Sequence, residues 1–244
     1  MKQVLQHILR HKREYAERPF FRFLRDDALT PRARLAFFPC MAPFIMAFGD
    51  LNRHVLRVEP TADAHQLRVN AHTFEDDHHW PWYLEDWVKL GHDAPRRPSE
   101  AWREQFDDAH AVNRLLAHRM AHLVWNASPE VRLALIEAIE ETGNVLFALT
   151  ARVARAYERD TGIELRYCGD FHFQLEQGHA MNNAHAELAA IELSPAARAQ
   201  ALAGADEVFE WFGRWTDELH AYALAHPPQQ GDVAPAPPAA LQAA

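Results

Sequence analysis

The sequence predicts an all-α fold, a single-domain bundle of about seven helices, on three observations. Apolar residues recur at spacings of three and four along most of the chain, the period of a helix face. No stretch alternates apolar and polar residues as a half-buried strand does. Glycine is scarce, at 9 in 244 residues, which argues against a turn-rich all-β chain or a glycine-lined nucleotide cradle.

The elements follow in order. Residues 1–25 form an amphipathic segment with Val4, Leu5, Ile8, Tyr15 and Phe20 on its apolar face. Thr30-Pro31 is a helix start, Thr as N-cap and Pro in the first turn. The apolar run LAFFPCMAPFIMAFGDL, residues 35–51, is interrupted by Pro39 and Pro43. It falls short of the roughly 20 apolar residues of a membrane span, so a core helix bent at its prolines and reaching Arg57 is expected. After a break at 60–63, one long helix should run from Ala64 to Leu90, kinked at Pro81 and ended by Gly91. Residues 93–99 are a loop and 100–125 a helix. Ser128-Pro129 opens a helix to Asp160 with the stripe Leu135, Ile139, Thr142, Leu146, Leu149 and Val153, ended at Thr161-Gly162. A shorter helical segment covers 169–193, with Gly178 as a weak point. Ser194-Pro195 starts the last helix, to His226, with Val208, Trp211, Phe212, Trp215, Leu219 and Tyr222 on one stripe. Residues 1–226 are thus one helical domain. Residues 227–244, rich in Pro and Ala, read as a disordered tail.

Composition removes several function classes. The net charge is −9 with histidine neutral, and no basic stripe interleaved with aromatics follows the N-terminal Arg and Lys residues. No nucleic-acid partner and no membrane partner are expected. Two cysteines, Cys40 and Cys168, lie far apart with no CxxC, which fits a reducing, cytoplasmic setting. The first twenty residues are too polar for a signal peptide. GxSxG, GxGxxG and GxxxxGK[ST] are all missing from the sequence, which leaves serine hydrolysis, dinucleotide binding and P-loop chemistry without support.

Two stretches carry chemistry. In HTFEDDHHWPWYLEDW, His72, Glu75 and His79 fall at i, i+3 and i+7 of a helix, and Asp76 joins their face. In DFHFQLEQGH, His172, Glu176 and His179 fall at i, i+4 and i+7. Imidazole with carboxylate suits iron, manganese or zinc, and facing helices of a bundle are where such sites are built. Glu140 is the preferred further carboxylate, because it shares a stripe with Ile136, Gly143 and Phe147; Glu137 stands behind it. The bland reading is chance spacing and helix-stabilising pairs, since histidine is abundant, 16 in the chain. Trp80, Trp82 and Tyr83 wall a pocket or pack in the core. Asp77, Glu85 and Asp86 read as the solvated side of the helix, and His118 and His122 as a solvated face. Cys168 approaches the site or is a buried, inert thiol.

The early His/carboxylate stripe, the lone mid-chain Glu140 and the late His-x3-Glu-x2-His together resemble the heme-oxygenase-like diiron oxidases. That group is a branch of the fold shared by heme oxygenase, TenA-type thiaminases and pyrroloquinoline quinone synthase. HTFEDDHHWPWYLEDWVKLG is also similar to proteins described as iron-containing redox enzymes. The resemblance covers roughly residues 30–225. It implies an oxidase or oxygenase acting with O2 on a small organic substrate, with a homodimer as a further expectation. It implies one or two Fe2+ ions, or manganese, on Glu75, His79, Glu140, His172, Glu176 and His179. His72, Asp76 and Glu137 are then outer partners or alternate ligands. The early helix departs from the pattern: seven residues after Glu75 stands Trp82, not a ligand. Two other readings are a metal-free ligand-binding or accessory protein of the same fold, and a TenA-like hydrolase using Cys40 or Cys168.

Overall fold

The computed structural model describes residues 1–181 and 184–228, and no side chains within 177–185. Among the described residues the chain is helical with no strand. The α-helical segments are α1 (Lys2–Tyr15), α2 (Pro19–Arg25), α3 (Pro31–Arg34), α4 (Ala42–Asp50), α5 (Ala64–Asp76), α6 (Trp80–Lys89), α7 (Pro98–Gln105), α8 (Ala111–Trp125), α9 (Pro129–Thr161), α10 (Asp170–Met181), α11 (Ala184–Ala190) and α12 (Pro195–Ala225).

The all-α class is as expected, but the segments outnumber the seven predicted. Proline is the main reason. Pro19 starts α2 afresh, while α7 is parted from α8 by a 3-10 turn, Asp108–His110, capped by Asp107. The predicted helix from Ala64 to Leu90 is broken rather than kinked. α5 stops at Asp76, and α6 begins at Trp80 with His79 as its N-cap and Pro81 in its first turn. Pro81 has no N–H to give a continuing helix and fits that first turn instead.

The apolar run is fragmented likewise, into a 3-10 turn Phe38–Met41, α4 and a π-helical turn Leu51–Leu56. Pro31–Leu56 is the one stretch among the described residues long and apolar enough to cross a membrane, and 56% of its apolar window is buried inside the fold. Leu35, Phe37, Phe38, Met41 and Phe44 all enter the core.

α9 and α12 form the central pair, with α1, α2 and α8 packed against both and α5 and α10 laid along α9. Each long helix has its stops written in sequence. Ser194 Oγ accepts the Ala197 N–H at 3.1 Å to start α12. Gly162, at φ 74°, ends α9 in the left-handed conformation that glycine adopts without strain. The close approach of the pair depends on Gly204, where a Cβ would stand 2.5 Å from Leu135 Cδ2. The stripe predicted for α9 is buried along its length. The Pro/Ala-rich tail, apart from Pro227 and Pro228, lies outside the described residues.

Candidate metal centre

Two clusters of His and carboxylate side chains meet between α5, the start of α6, α9 and α10. One is His72, Asp76 and Glu140; the other is His79, His172 and Glu176. Within each, the nearest ligand atoms lie within 4.8 Å of one another. His72 Nε2 is 3.1 Å from Asp76 Oδ2 and 3.5 Å from Glu140 Oε1. His172 Nε2 is 2.9 Å from Glu176 Oε1, and His79 Nδ1 is 3.7 Å from the same oxygen. His79 Nε2 points back to the first cluster, 4.0 Å from Asp76 Oδ1.

The break between α5 and α6 positions His79. Arg57 Nη2 donates to Asp77 Oδ2 at 2.6 Å and to the Thr73 carbonyl at 2.7 Å, which ties the end of α5 to the chain after α4. Asp77 was expected to be solvated; it is buried in this ion pair, and the Arg57 and Arg53 guanidiniums hold its carboxyl below the usual range although burial alone would raise it. Asp86 is a second correction. It is wholly buried on α6 and accepts the Arg166 and Cys168 N–H groups at 2.7 and 2.9 Å. The loop so held presents the Tyr167 carbonyl, which accepts Nδ1–H of His172 at 2.9 Å. That bond fixes the orientation of the ring and turns Nε2 toward the cluster.

The electrostatics suit a bound cation. Burial, then Glu176 and Asp76, push Glu140 well above the ordinary carboxylate range. Glu176 goes the other way: burial would raise it, but the His172 imidazole and a hydrogen bond from Glu140 hold it below. Of the two, Glu140 is the one that holds a proton more tightly. Burial pushes His79 down to about 4, so it is a neutral donor at pH 7. His72 is raised, because Asp76 beside it more than offsets the effect of burial.

Three carboxylates thus crowd a site whose lining contains no Lys or Arg. His79 Nε2 and His172 Nε2 are buried with no hydrogen-bond partner among the described residues. His172 Nε2 has Glu176 Oε1 beside it at 2.9 Å. Two ligands about 2.0–2.2 Å from one ion stand about 3.0 Å apart at a right angle and about 3.5 Å apart in a tetrahedron. The contacts of 3.1 and 3.5 Å in the first cluster and 2.9 and 3.7 Å in the second bracket that spacing, and buried imidazole nitrogens with no hydrogen-bond partner fit a metal better than a closed hydrogen-bond network. These residues could hold a metal ion.

Above the clusters lies a cavity of about 60 Å3. Phe44, Ile45 and Phe48 of α4, Leu146 and Phe147 of α9, and Phe212 and Trp215 of α12 make its apolar wall; Asp76, His79, Glu140, His172 and Glu176 make its polar floor.

The sequence-predicted residues divide as follows. Glu140, His172, Glu176 and His79 come together. Glu75 does not: it is exposed on α5, and Asp76, one residue and 100° on, is buried in its place. His72 joins as a direct neighbour of Asp76 and Glu140. Glu137 is half-buried one turn before Glu140, and its charge is one of the influences raising that residue. His179 is on α10, but its side chain lies outside the described residues.

Of the aromatics, Trp80 lines the cavity. Trp82 sits behind the ligands, stacked on His79 at 4.5 Å between ring centroids. Tyr83 is not pocket wall: it is fully buried, stacked on Phe38, with its hydroxyl donating to the Phe38 carbonyl at 2.7 Å. Cys168 is buried and outside the cavity lining. His118 and His122 are exposed, as expected. The walls from α4 and α12 were not predicted as pocket, although the spacing of Phe44 and Phe48 and the α12 stripe were visible. Neither a protein-family model nor a curated protein sequence matches the chain.

Proposed function

We propose that this chain is a non-heme iron-dependent oxidase or oxygenase of the heme-oxygenase-like kind, acting with O2 on a small organic substrate. One observation carries the reading: a buried and a partly buried His/carboxylate cluster meet at the Glu140–Glu176 pair beneath an apolar cavity. One cluster would hold an ion on His79, His172 and Glu176, the other on His72, Asp76 and Glu140. Iron is the preferred metal and manganese the alternative, since imidazole and carboxylate suit both. When bound, iron supplies one-electron redox chemistry with O2 that no side chain offers.

The protein's own residues do the rest. The Tyr167 carbonyl orients His172 and turns its Nε2 toward the cluster. Glu140 holds a proton more tightly than an ordinary carboxylate, so a metal that takes it as a ligand competes with that proton. Trp82 braces the His79 ring. The phenyl and indole walls exclude water and admit an uncharged organic group, held by shape because no cation lines the cavity. A cytoplasmic location and a homodimer belong to the same proposal.

The cysteine-based hydrolase reading has less behind it. Neither thiol lines the cavity, and burial pushes both Cys40 and Cys168 upward, away from thiolate.

The test is an Fe2+ titration under argon followed by exposure to O2. Binding of one or two equivalents, then a transient visible absorption, is expected. A folded protein with intact ligands that takes up no stoichiometric iron would overturn the reading.

A further inference from the structure

A third His/carboxylate group lies away from the two interior clusters, on the outer face where α1 packs against α12. His7 and His11 are one helical turn apart, so both imidazoles project from the same face of α1. Asp206 of α12 meets them: its Oδ1 is 2.5 Å from His7 Nε2 and 2.8 Å from His11 Nε2. A single carboxylate oxygen thus sits between two imidazole nitrogens from another helix.

The imidazoles are largely covered, with side chains 16% and 25% exposed, while Asp206 is 55% exposed and open to solvent. His11 is held in place by Phe209, stacked on it at 5.4 Å between centroids. Its far nitrogen, Nδ1, faces Glu14 at 3.8 Å, the arrangement in which a carboxylate orients a metal-bound histidine. An i, i+4 histidine pair with one carboxylate and an open side is a donor set for a borderline dication such as Zn2+, Co2+ or Ni2+, with water completing the shell.

The geometry points to a surface transition-metal site at His7, His11 and Asp206 that clips the first helix to the last, independent of the interior centre. Binding replaces the His7–Asp206 hydrogen bond and the 2.8 Å His11–Asp206 contact by three metal bonds, and leaves each imidazole coordinated through Nε2 with its proton on Nδ1. For His11 the new Nδ1–H faces Glu14. For His7 it meets Arg10, whose Nη2 now donates to Nδ1 at 2.6 Å. Arg10 is exposed and must swing away. It therefore opposes binding, both as a cation and as a competing donor.

The experiment is a Zn2+ titration by calorimetry on the wild-type chain and on His11→Ala, Asp206→Ala and Arg10→Ala, with thermal unfolding in parallel. Co2+ absorption then reports the coordination. The expected result is one zinc fewer in His11→Ala, affinity at this site at least tenfold weaker in Asp206→Ala, and several-fold tighter in Arg10→Ala. Wild type should gain a few degrees in Tm with zinc that His11→Ala does not gain. Interior binding is common to all four proteins and cancels. Equal stoichiometry in wild type and His11→Ala would overturn the site. Unchanged affinity in Arg10→Ala would overturn ligation of His7 through Nε2.

Discussion

Asp86 fixes His172 at one remove. Its two oxygens accept the N–H groups on either side of Tyr167, and the Tyr167 carbonyl accepts Nδ1–H of His172. A wholly buried carboxylate on α6 thereby sets the orientation of an imidazole on α10. In Asp86→Asn one of the two loop N–H groups loses its acceptor, and the Tyr167 carbonyl is no longer held. Metal affinity should fall by about tenfold or more, with helix content unchanged by circular dichroism. Unaltered affinity in a folded variant would dissociate Asp86 from the centre.

The same residue predicts a pH dependence. Burial raises Asp86 to about 6 from 3.8. Because the folded-state value lies above the unfolded one, the folded state holds the proton more tightly. The associated stability is complete below about pH 4 and lost as pH rises through 6. Metal-free wild type should therefore lose ground against metal-free Asp86→Asn between pH 4 and 7, by up to about 3 kcal/mol. Urea midpoints at the two pH values measure it; a constant difference between the two proteins would refute it.

A panel of single variants tests which side chains touch the metal. His172→Ala and Asp76→Ala should each abolish stoichiometric binding of an ion. Glu75→Ala and His118→Ala should bind as wild type, since both residues are exposed. Binding lost in Glu75→Ala but kept in Asp76→Ala would restore the ligand set read from the family pattern.

That contrast marks how far the sequence was legible. Periodicity located the long α9 and α12 and their caps, because those signals are local. It also put His72 with Asp76, and His172 with Glu176, since i, i+4 spacing survives in any helix. The choice of Asp76 over Glu75 was not legible, because it depends on how α5 is rotated against α9. The break at Asp77–His79 was hidden because Pro81 is compatible with either a kink or a restart. Asp86 and Asp77 looked solvated because their partners, the 166–168 amides and Arg57, come from distant chain. The cavity walls needed three helices to converge, which no single stripe reveals.

Gly143 offers the last test, of the cavity itself. It lies on α9 between Glu140 and Phe147 and lines the apolar space over the clusters. A Cβ added there meets the Phe147 ring at 3.5 Å, an ordinary contact. Gly143→Ala should therefore fit without rearrangement. Replacing glycine by alanine inside a helix should stabilise the fold by about 0.5–1 kcal/mol. Gly143→Leu adds bulk to the same space. It should leave Fe2+ binding intact, because no ligand moves, while weakening the uptake of a small apolar probe such as indole by tenfold or more. Calorimetric titrations of both ligands on the three proteins decide the matter. Indole binding equal in wild type and Gly143→Leu would mean that the space above the clusters is not where an organic ligand enters.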